Sequence, residues 1–238
     1  MLLKNKVILI SGASRGLGKA LALGFAKQGA KLAICSRNAN AIAAVRDEIK
    51  DVGGHCTAEQ VNIVHLIEVE NFIKNILAKF QKIDVLINNA SILGKRVEIV
   101  DYPAEVWQQV IDVNLNGAFN LCKAVIPDMI QNRSGSIINV TSGVSISGRA
   151  EWGAYSVSKF GVEGLTQILA AELKKHNIRA NSVDPQAMAT EMRRQAYPGE
   201  DQSKLRKPGE ILDVFFYLAS DKSIGVTGQR FRAQEFRL

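Results

Sequence analysis

Short apolar runs alternate with longer amphipathic segments along almost the whole chain. The runs are rich in branched aliphatic residues, and glycine or polar residues end most of them. Continuous apolar stretches of this kind are typical of strands that are buried on both faces of a sheet. The pattern predicts seven strands, at residues 6–11, 31–36, 55–62, 82–90, 135–142, 178–185 and 229–233.

The segments between these runs repeat their apolar residues at helical spacing. They predict helices at residues 16–30, 38–53, 66–80, 103–130, 153–176 and 208–220. We expect the long region 103–130 to be broken or kinked between Asn114 and Gly117, where polar residues interrupt it. Regular alternation of strand and helix favours an α/β protein with a doubly wound parallel sheet of about seven strands and helices on both faces.

Composition narrows the class of protein. The chain has 238 residues, 47% of them apolar, and no linker or repeat, so we expect one domain spanning residues 1–238. Its net charge of +7 is dispersed, without an aromatic platform, and does not indicate specific nucleic-acid binding. The first residues lack a secretory signal and no run could span a membrane, so we expect a cytoplasmic protein. The cysteines and histidines show no metal-ligand spacing, so no metal site is expected.

A glycine-rich turn joins the first predicted strand to the first helix. In "SGASRGLG" the glycines are Gly12, Gly16 and Gly18. Glycine permits a tight turn and lets backbone amides approach a pyrophosphate at a helix N-terminus. The strand–turn–helix context therefore predicts a dinucleotide site that also includes Ser14, Arg15 and Leu17.

The end of the second strand indicates which dinucleotide is bound. An acidic residue there holds the ribose hydroxyls of NAD, whereas arginine accommodates the 2′-phosphate of NADP. This chain has Ser36 and Arg37 and no acid, and Arg15 in the glycine turn could reach the same phosphate. The sequence therefore predicts NADP(H) as the cofactor.

A tyrosine and a lysine are spaced to act together. Tyr155 and Lys159 lie four residues apart in a predicted helix and so share a face. An ammonium near a phenol favours the phenolate and lowers the tyrosine pKa, which makes a useful proton donor near neutral pH. Ser142, at the end of the fifth strand, could hydrogen-bond a substrate carbonyl. Asn114 could hold a proton path from within its helix.

Together, "SGASRGLG", "NNA" at 88–90, Asn114, Ser142 and "YSVSK" at 155–159 resemble the short-chain dehydrogenase/reductase family over essentially the whole chain. The resemblance implies a Rossmann-type fold, an NAD(P)-dependent oxidoreductase activity and a catalytic tetrad. In that tetrad Tyr155 protonates the alkoxide, Lys159 holds the nicotinamide ribose, Ser142 positions the carbonyl and Asn114 orders a water. The resemblance also implies cofactor contacts beyond the glycine turn, at Ser36, Arg37, Asn62, Asn88, Ala90, Tyr155, Lys159, Pro185, Met188 and Thr190.

Three features depart from the family pattern. Ser91 follows "NNA" where the family has glycine, and Gln186 follows Pro185 where the family again has glycine. If the second position needs positive φ, glutamine is strained there; if it only needs room, the side chain crowds the nicotinamide. The C-terminal tail "AQEFRL" lacks the usual double glycine. A weakly active regulatory relative that only binds nucleotide therefore stays an alternative to an active reductase.

The substrate is less well indicated. We expect the basic segment at about 188–210 to cap the substrate, either as a solvated loop or as an attraction for an anionic substrate. The chain most resembles bacterial 3-oxoacyl-acyl-carrier-protein reductases, which implies a carbonyl substrate on an acidic carrier, fatty acid biosynthesis, and Arg133 as a carrier contact. The second arginine position of that group falls on Ala171, so another ketone, sugar or diketone remains open. The resemblance also implies a homotetramer or dimer.

Overall fold

A computed structural model describes residues 1–238. Its seven strands form one parallel sheet in the order β3-β2-β1-β4-β5-β6-β7. The predicted fold class is confirmed, because every strand pair is parallel and helices connect successive strands. The strands are β1 (Val7–Ser11), β2 (Lys31–Ser36), β3 (His55–Gln60), β4 (Val85–Asn88), β5 (Gly135–Val140), β6 (Ile178–Asp184) and β7 (Arg230–Arg232).

Eight α-helices accompany the sheet. They are α1 (Gly16–Lys27), α2 (Ala39–Asp51), α3 (Leu66–Phe80), α4 (Ala104–Ile111), α5 (Gly117–Asn132), α6 (Gly153–Leu173), α7 (Glu191–Ala196) and α8 (Asp213–Ala219). The expected interruption of the long helical region is present, as a π-helical segment, Asp112–Asn116, between α4 and α5. No helix combines the length and the apolar character that crossing a membrane requires.

Two hydrophobic layers hold the helices against the sheet. One contains 28 buried residues, among them Phe25 of α1 and Phe215 of α8. The other contains 22, among them Phe72 of α3 and Leu121 of α5. The strands β1, β2, β4 and β5 are buried along almost their whole length because alternate side chains enter opposite layers.

Two predictions about the second half of the chain need correction. The predicted helix 208–220 begins only at Asp213, and a separate 3₁₀ turn, Pro208–Glu210, precedes it. The polar segment before it contains the short helix α7, which its sequence pattern did not indicate. Thr190 caps α7 by accepting a hydrogen bond from the Arg193 amide at 3.2 Å.

The sheet reverses its direction of winding beside β1. Strands β2 and β3 extend from one side of β1, and β4 to β7 extend from the other. The connections that leave β1 and β4 therefore diverge and open a crevice at the carboxyl edge of the sheet. This is where doubly wound sheets bind their ligands.

Candidate active site

A cleft of about 870 Å³ lies at this edge. Most of the sequence-predicted residues line it. Those residues are Gly12, Ser14, Arg15, Gly16, Leu17, Gly18, Ser36, Arg37, Asn62, Ala90, Ser142, Tyr155, Lys159, Pro185, Met188 and Thr190. Two predicted residues, Asn88 and Asn114, are absent from its lining.

The glycine turn is packed too closely for side chains at two positions. Gly12 has a φ of +65°, and a Cβ there would lie 2.7 Å from the Cα of Ala90. A Cβ on Gly18 would lie 2.3 Å from the Gly12 carbonyl oxygen. Asn89 fixes the turn from the neighbouring strand end, because its Nδ2 donates to the carbonyls of Ser11 at 2.9 Å and Gly12 at 3.1 Å.

The N-terminus of α1 faces this turn with its first amides uncapped. Arg15 occupies the N-cap position without a side-chain capping bond, and the first turn contains no acidic residue. Unpaired amides and the positive end of a helix dipole together attract an anion. The turn therefore fits a pyrophosphate.

Two arginines lie at the rim next to the second strand. Arg15 and Arg37 are exposed, and neither forms an ion pair within the protein. The backbone turns away after β2, where the amide of Asn38 donates to the Ser36 hydroxyl at 3.2 Å. Asn38 then caps α2 by accepting from the Ala41 amide at 2.9 Å. No carboxylate stands where ribose hydroxyls would need one, so this end of the cleft fits an additional phosphate.

The tyrosine and lysine of α6 lie together at the other end of the cleft. Lys159 Nζ is 5.7 Å from the centroid of the Tyr155 ring. The side chain of Lys159 is buried, and its ammonium donates to the carbonyl of Val140 at 2.8 Å. The predicted pair is therefore assembled on one helix face, but the ammonium bonds to β5 instead of the phenol.

Burial dominates the acidity of both groups. Desolvation raises the pKa of Tyr155 to about 12, while the hydroxyls of Ser142 and Ser91 act in the opposite direction and the charge of Asp184 adds to the increase. Desolvation also lowers the pKa of Lys159 to about 8, against an upward effect of Glu163. The net lowering of the Tyr155 pKa that the sequence predicts is therefore not found, because desolvation outweighs the opposing effects and keeps the phenol protonated.

Asn114 supports the site from behind. Its Oδ1 accepts from the Ile92 amide at 2.8 Å, and its Nδ2 donates to the Ile92 carbonyl at 3.0 Å and to Ser158 Oγ at 3.0 Å. The Ser158 hydroxyl in turn donates to the Tyr155 carbonyl at 2.7 Å. In this structure Asn114 therefore joins the chain after β4 to the backbone of the tyrosine.

Asn88 is the second predicted residue that lies outside the cleft. Its Nδ2 donates to Asn139 Oδ1 at 2.8 Å and lies 3.2 Å from Cys122 Sγ, within the interior. The prediction that it lines the cleft is wrong by one position, since β4 ends at Asn88 and the next residue, Asn89, lines the cleft. Asn62, by contrast, does line the cleft, and its Oδ1 accepts from the Val64 amide at 3.3 Å.

Apolar and aromatic side chains surround Tyr155. The sequence did not indicate this cluster, because its members are far apart along the chain. Trp152 packs 5.6 Å from the Tyr155 ring and 6.0 Å from Tyr197, centroid to centroid. Arg96 lies over both Trp152 and Tyr197, with its guanidinium carbon 4.8 and 5.1 Å from their centroids. Arg96 also donates to the Ala196 carbonyl at 2.8 Å, which ties α7 to this wall of the cleft.

Gln186 adopts a left-handed backbone conformation at the position where the family has glycine. Its φ is +62°, so the left-handed backbone, and not only free space, is required at this position. The Gln186 amide donates to Asp184 Oδ1 at 2.9 Å. The atypical tail also contacts this loop, because Gln234 Nε2 donates to the carbonyls of Pro185 at 3.1 Å and Ala187 at 2.6 Å.

Two arginines of the basic segment that is predicted to attract a substrate are neutralised within that segment. Arg193 forms a bidentate pair with Glu200, and Arg194 pairs with Glu191. Arg133 precedes β5 by two residues and therefore lies at the amino edge of the sheet, opposite the cleft. Arg133 does not line this chain's own cleft, and its role as a carrier contact stays a prediction.

A cleft of this form, where a parallel sheet reverses its winding under a glycine turn, defines an α/β dinucleotide-binding protein. The chain belongs to the short chain dehydrogenase family, whose model matches residues 6–201. FabG of Thermotoga maritima, a 3-oxoacyl-acyl-carrier-protein reductase, is 37% identical over 96% of this chain and 96% of its own length. The oxidoreductase YciK of Escherichia coli is 33% identical, over 99% and 94%. A short chain dehydrogenase from Shigella flexneri, solved with NADP, superimposes with a TM-score of 0.94 at 32% identity, over 98% of both chains.

Proposed function

We propose that the protein is an NADPH-dependent reductase that converts a ketone into a secondary alcohol. One observation carries the proposal: a buried, protonated phenol and a serine hydroxyl line the same cleft as the glycine turn. A reductase needs a proton donor beside the carbonyl carbon that receives a hydride. A tyrosine that is kept neutral by burial meets that need.

Each residue of the cleft has a defined task in this reaction. When bound, NADPH supplies the hydride. Tyr155 donates its phenolic proton to the carbonyl oxygen as negative charge develops there, and the Ser142 hydroxyl donates a hydrogen bond to the same oxygen. Trp152 and the apolar residues beside it exclude water from the reacting atoms.

Lys159 and Asn114 act on the tyrosine from different sides. With a pKa of about 8, Lys159 carries its charge at neutral pH and favours the phenolate that remains after proton transfer. Its ammonium has two donors left beyond the bond to Val140, and these can hold ribose hydroxyls. Asn114 holds the backbone of Tyr155 through Ser158 and keeps the phenol in register.

The choice of NADP(H) rests on charge. Arg15 and Arg37 are free to bind a phosphate on the adenosine ribose, and no acid competes with that phosphate. The relative from Shigella flexneri whose structure contains NADP supports the same assignment. Gly12, Ser14 and Leu17 would hold the pyrophosphate, and Pro185, Met188 and Thr190 the nicotinamide end.

Two substrate classes remain within this proposal. The relatives described as 3-oxoacyl-acyl-carrier-protein reductases favour a 3-oxoacyl thioester. The aromatic wall formed by Trp152 and Tyr197, together with the internally paired arginines of α7, favours a compact neutral ketone or diketone. We place the compact ketone second, since a thioester chain can also pack against aromatic rings.

Exposed apolar residues on two helices support an oligomer. Phe119 on α5, and Val157, Phe160 and Ile168 on α6, are 43 to 56% exposed. Large apolar side chains grouped on an accessible face are typical of protein interfaces. We propose a homodimer or homotetramer through α5 and α6, and sedimentation of the purified protein would measure it.

The central test is turnover with a panel of carbonyl compounds, including a 3-oxoacyl thioester, followed by loss of NADPH absorbance. Tyr155→Phe should lower kcat at least about a thousandfold while the Kd for NADPH changes less than about threefold. Tyr217→Phe, at a tyrosine that packs against Phe231 away from the cleft, is the matched control. NADPH binding without turnover of any compound would contradict the proposed activity and favour a regulatory relative.

A further inference from the structure

Arg230 of β7 joins three elements behind the cleft. Its Nη2 donates to Asp184 Oδ2 at 2.9 Å and to the Ser142 carbonyl at 3.1 Å, and its Nε donates to Glu163 Oε1 at 3.0 Å. The side chains of Asp184 and Glu163 are only 5% and 12% exposed. These ion pairs are therefore largely shielded from water. The stability of a buried ion pair depends strongly on its geometry.

Every carboxylate oxygen around this arginine has a donor. Glu163 Oε2 accepts from the Ser182 hydroxyl at 2.7 Å, and Glu163 Oε1 lies 3.0 Å from the Ser145 hydroxyl. Asp184 Oδ1 accepts from the Gln186 amide at 2.9 Å. A buried network that is fully satisfied in this way holds its members in one arrangement.

The network reaches the proposed chemistry at three points. Glu163 lies one helical turn after Lys159 on α6, and its charge opposes the effect of burial on that lysine. The Ser142 carbonyl belongs to the residue whose hydroxyl faces the substrate. Asp184 holds the left-handed Gln186 next to Pro185, at the nicotinamide end of the cleft. No part of the network contacts the phosphate end.

We propose that Arg230 is a positioning residue, which sets the relative placement of Ser142 and the Gln186 loop by bridging Glu163 and Asp184. The proposal rests on the proposed reductase function for its kinetic consequences. Because Arg230 lies behind the reacting groups, it acts through them and not on the substrate.

The test compares Arg230→Lys with Arg179→Lys. Arg179 is the matched control, since its Nη2 donates to two carbonyls at the opposite edge of the same sheet, those of Leu218 at 3.2 Å and Ser220 at 3.3 Å. Lysine keeps the charge but cannot span three acceptors with fixed geometry. We expect Arg230→Lys to lower kcat at least about tenfold per folded molecule, with the Kd for NADPH within about threefold of wild type.

Hydrogen exchange provides a readout that needs no substrate. Peptides covering residues 141–146 and 184–188 should exchange faster in Arg230→Lys, whereas peptides covering 11–18 should not change, and Arg179→Lys should change none of them. If Arg230→Lys does not fold, Glu163→Gln takes its place, because it retains the shape and removes one charge. Its kcat should fall while NADPH binding persists.

The outcomes separate the two proposals. The positioning role would be overturned if Arg230→Lys lost activity only in proportion to its unfolded fraction, as we expect for Arg179→Lys. Absence of turnover in the wild type would defeat the proposed function alone, and the exchange pattern would then decide the role of Arg230. Unchanged exchange in residues 141–146 and 184–188 would overturn that role whether or not the wild type is active.

Discussion

Gln234 of the C-terminal tail donates its backbone amide to Gln186 Oε1 at 3.1 Å, across 48 positions of sequence. The glutamine that replaces the family glycine is therefore tied to the tail that departs from the family pattern. Both departures form one local structure, because the side chain of Gln186 accepts a hydrogen bond from the tail and glycine has no side chain to do so.

This relationship predicts different stabilities for two substitutions of Gln186. Alanine retains the unfavourable φ of +62° and loses the bond to Gln234, so Gln186→Ala should lower the free energy of unfolding by about 1 kcal/mol. Gln186→Gly loses the same bond but relieves the left-handed strain, worth about 1 kcal/mol. Urea unfolding should therefore rank glycine above alanine by about that amount. Equal stabilities would show that the backbone at this position is not strained.

Cofactor preference should depend on Arg37. Arg37→Asp removes a charge-assisted contact to the ribose phosphate and adds a repulsive charge, so the Kd for NADPH should rise about 100-fold. The Kd for NADH should not rise, because NADH lacks that phosphate and an acid at this strand end can hold its ribose hydroxyls. Arg133→Asp is the matched control, since Arg133 is an exposed arginine at the opposite edge of the sheet. Nucleotide fluorescence measures all of these constants, and equal losses for NADPH and NADH would contradict the assignment.

Lys159 should reduce the stability of the folded protein at neutral pH. Its folded pKa of about 8 lies below its ordinary value of 10.5, so below pH 8 the folded state bears the full cost of a buried charge. Between pH 8 and 10.5 the unfolded state binds more protons, and stability rises with pH. Lys159→Met should therefore raise the free energy of unfolding at pH 7 by about 1–2 kcal/mol, after the lost bond to Val140 is allowed for. This gain should shrink as pH approaches 10, and urea unfolding at a series of pH values would measure it.

If burying Lys159 lowers the stability of the folded protein, we expect the lysine to serve catalysis and not folding. If Lys159→Met were less stable than wild type at pH 7 and equally so at pH 10, the ammonium would be a structural element. The predicted curve would then be wrong in sign. Lys174→Met, on an exposed lysine beyond the end of α6, should show neither effect.

The sheet could be predicted because its strands are local apolar runs and glycine marks the turns between them. The contacts that complete the site are not local. Arg230 meets Ser142 across 88 positions and Asp184 across 46, and no spacing rule indicates such pairs. Likewise, the amphipathic pattern places Tyr155 beside Lys159, but whether the ammonium bonds to the phenol or to Val140 depends on where β5 ends.

We expect the neighbouring residues Asn88 and Asn89 to differ in role, one affecting the stability of the fold and the other affecting NADPH affinity. Asn88 points into the interior, so Asn88→Ala would leave Asn139 Oδ1 without its donor and lower the free energy of unfolding by about 1–3 kcal/mol, with NADPH affinity nearly unchanged. Asn89 holds the glycine turn through two carbonyls, so Asn89→Ala should weaken NADPH binding about tenfold at a smaller cost in stability. Thermal unfolding and nucleotide titration of both variants measure the contrast. A larger loss of affinity in Asn88→Ala than in Asn89→Ala would contradict this division of roles. It would mean that the side chain of Asn88 reaches the nucleotide and is not enclosed by β5 and Cys122.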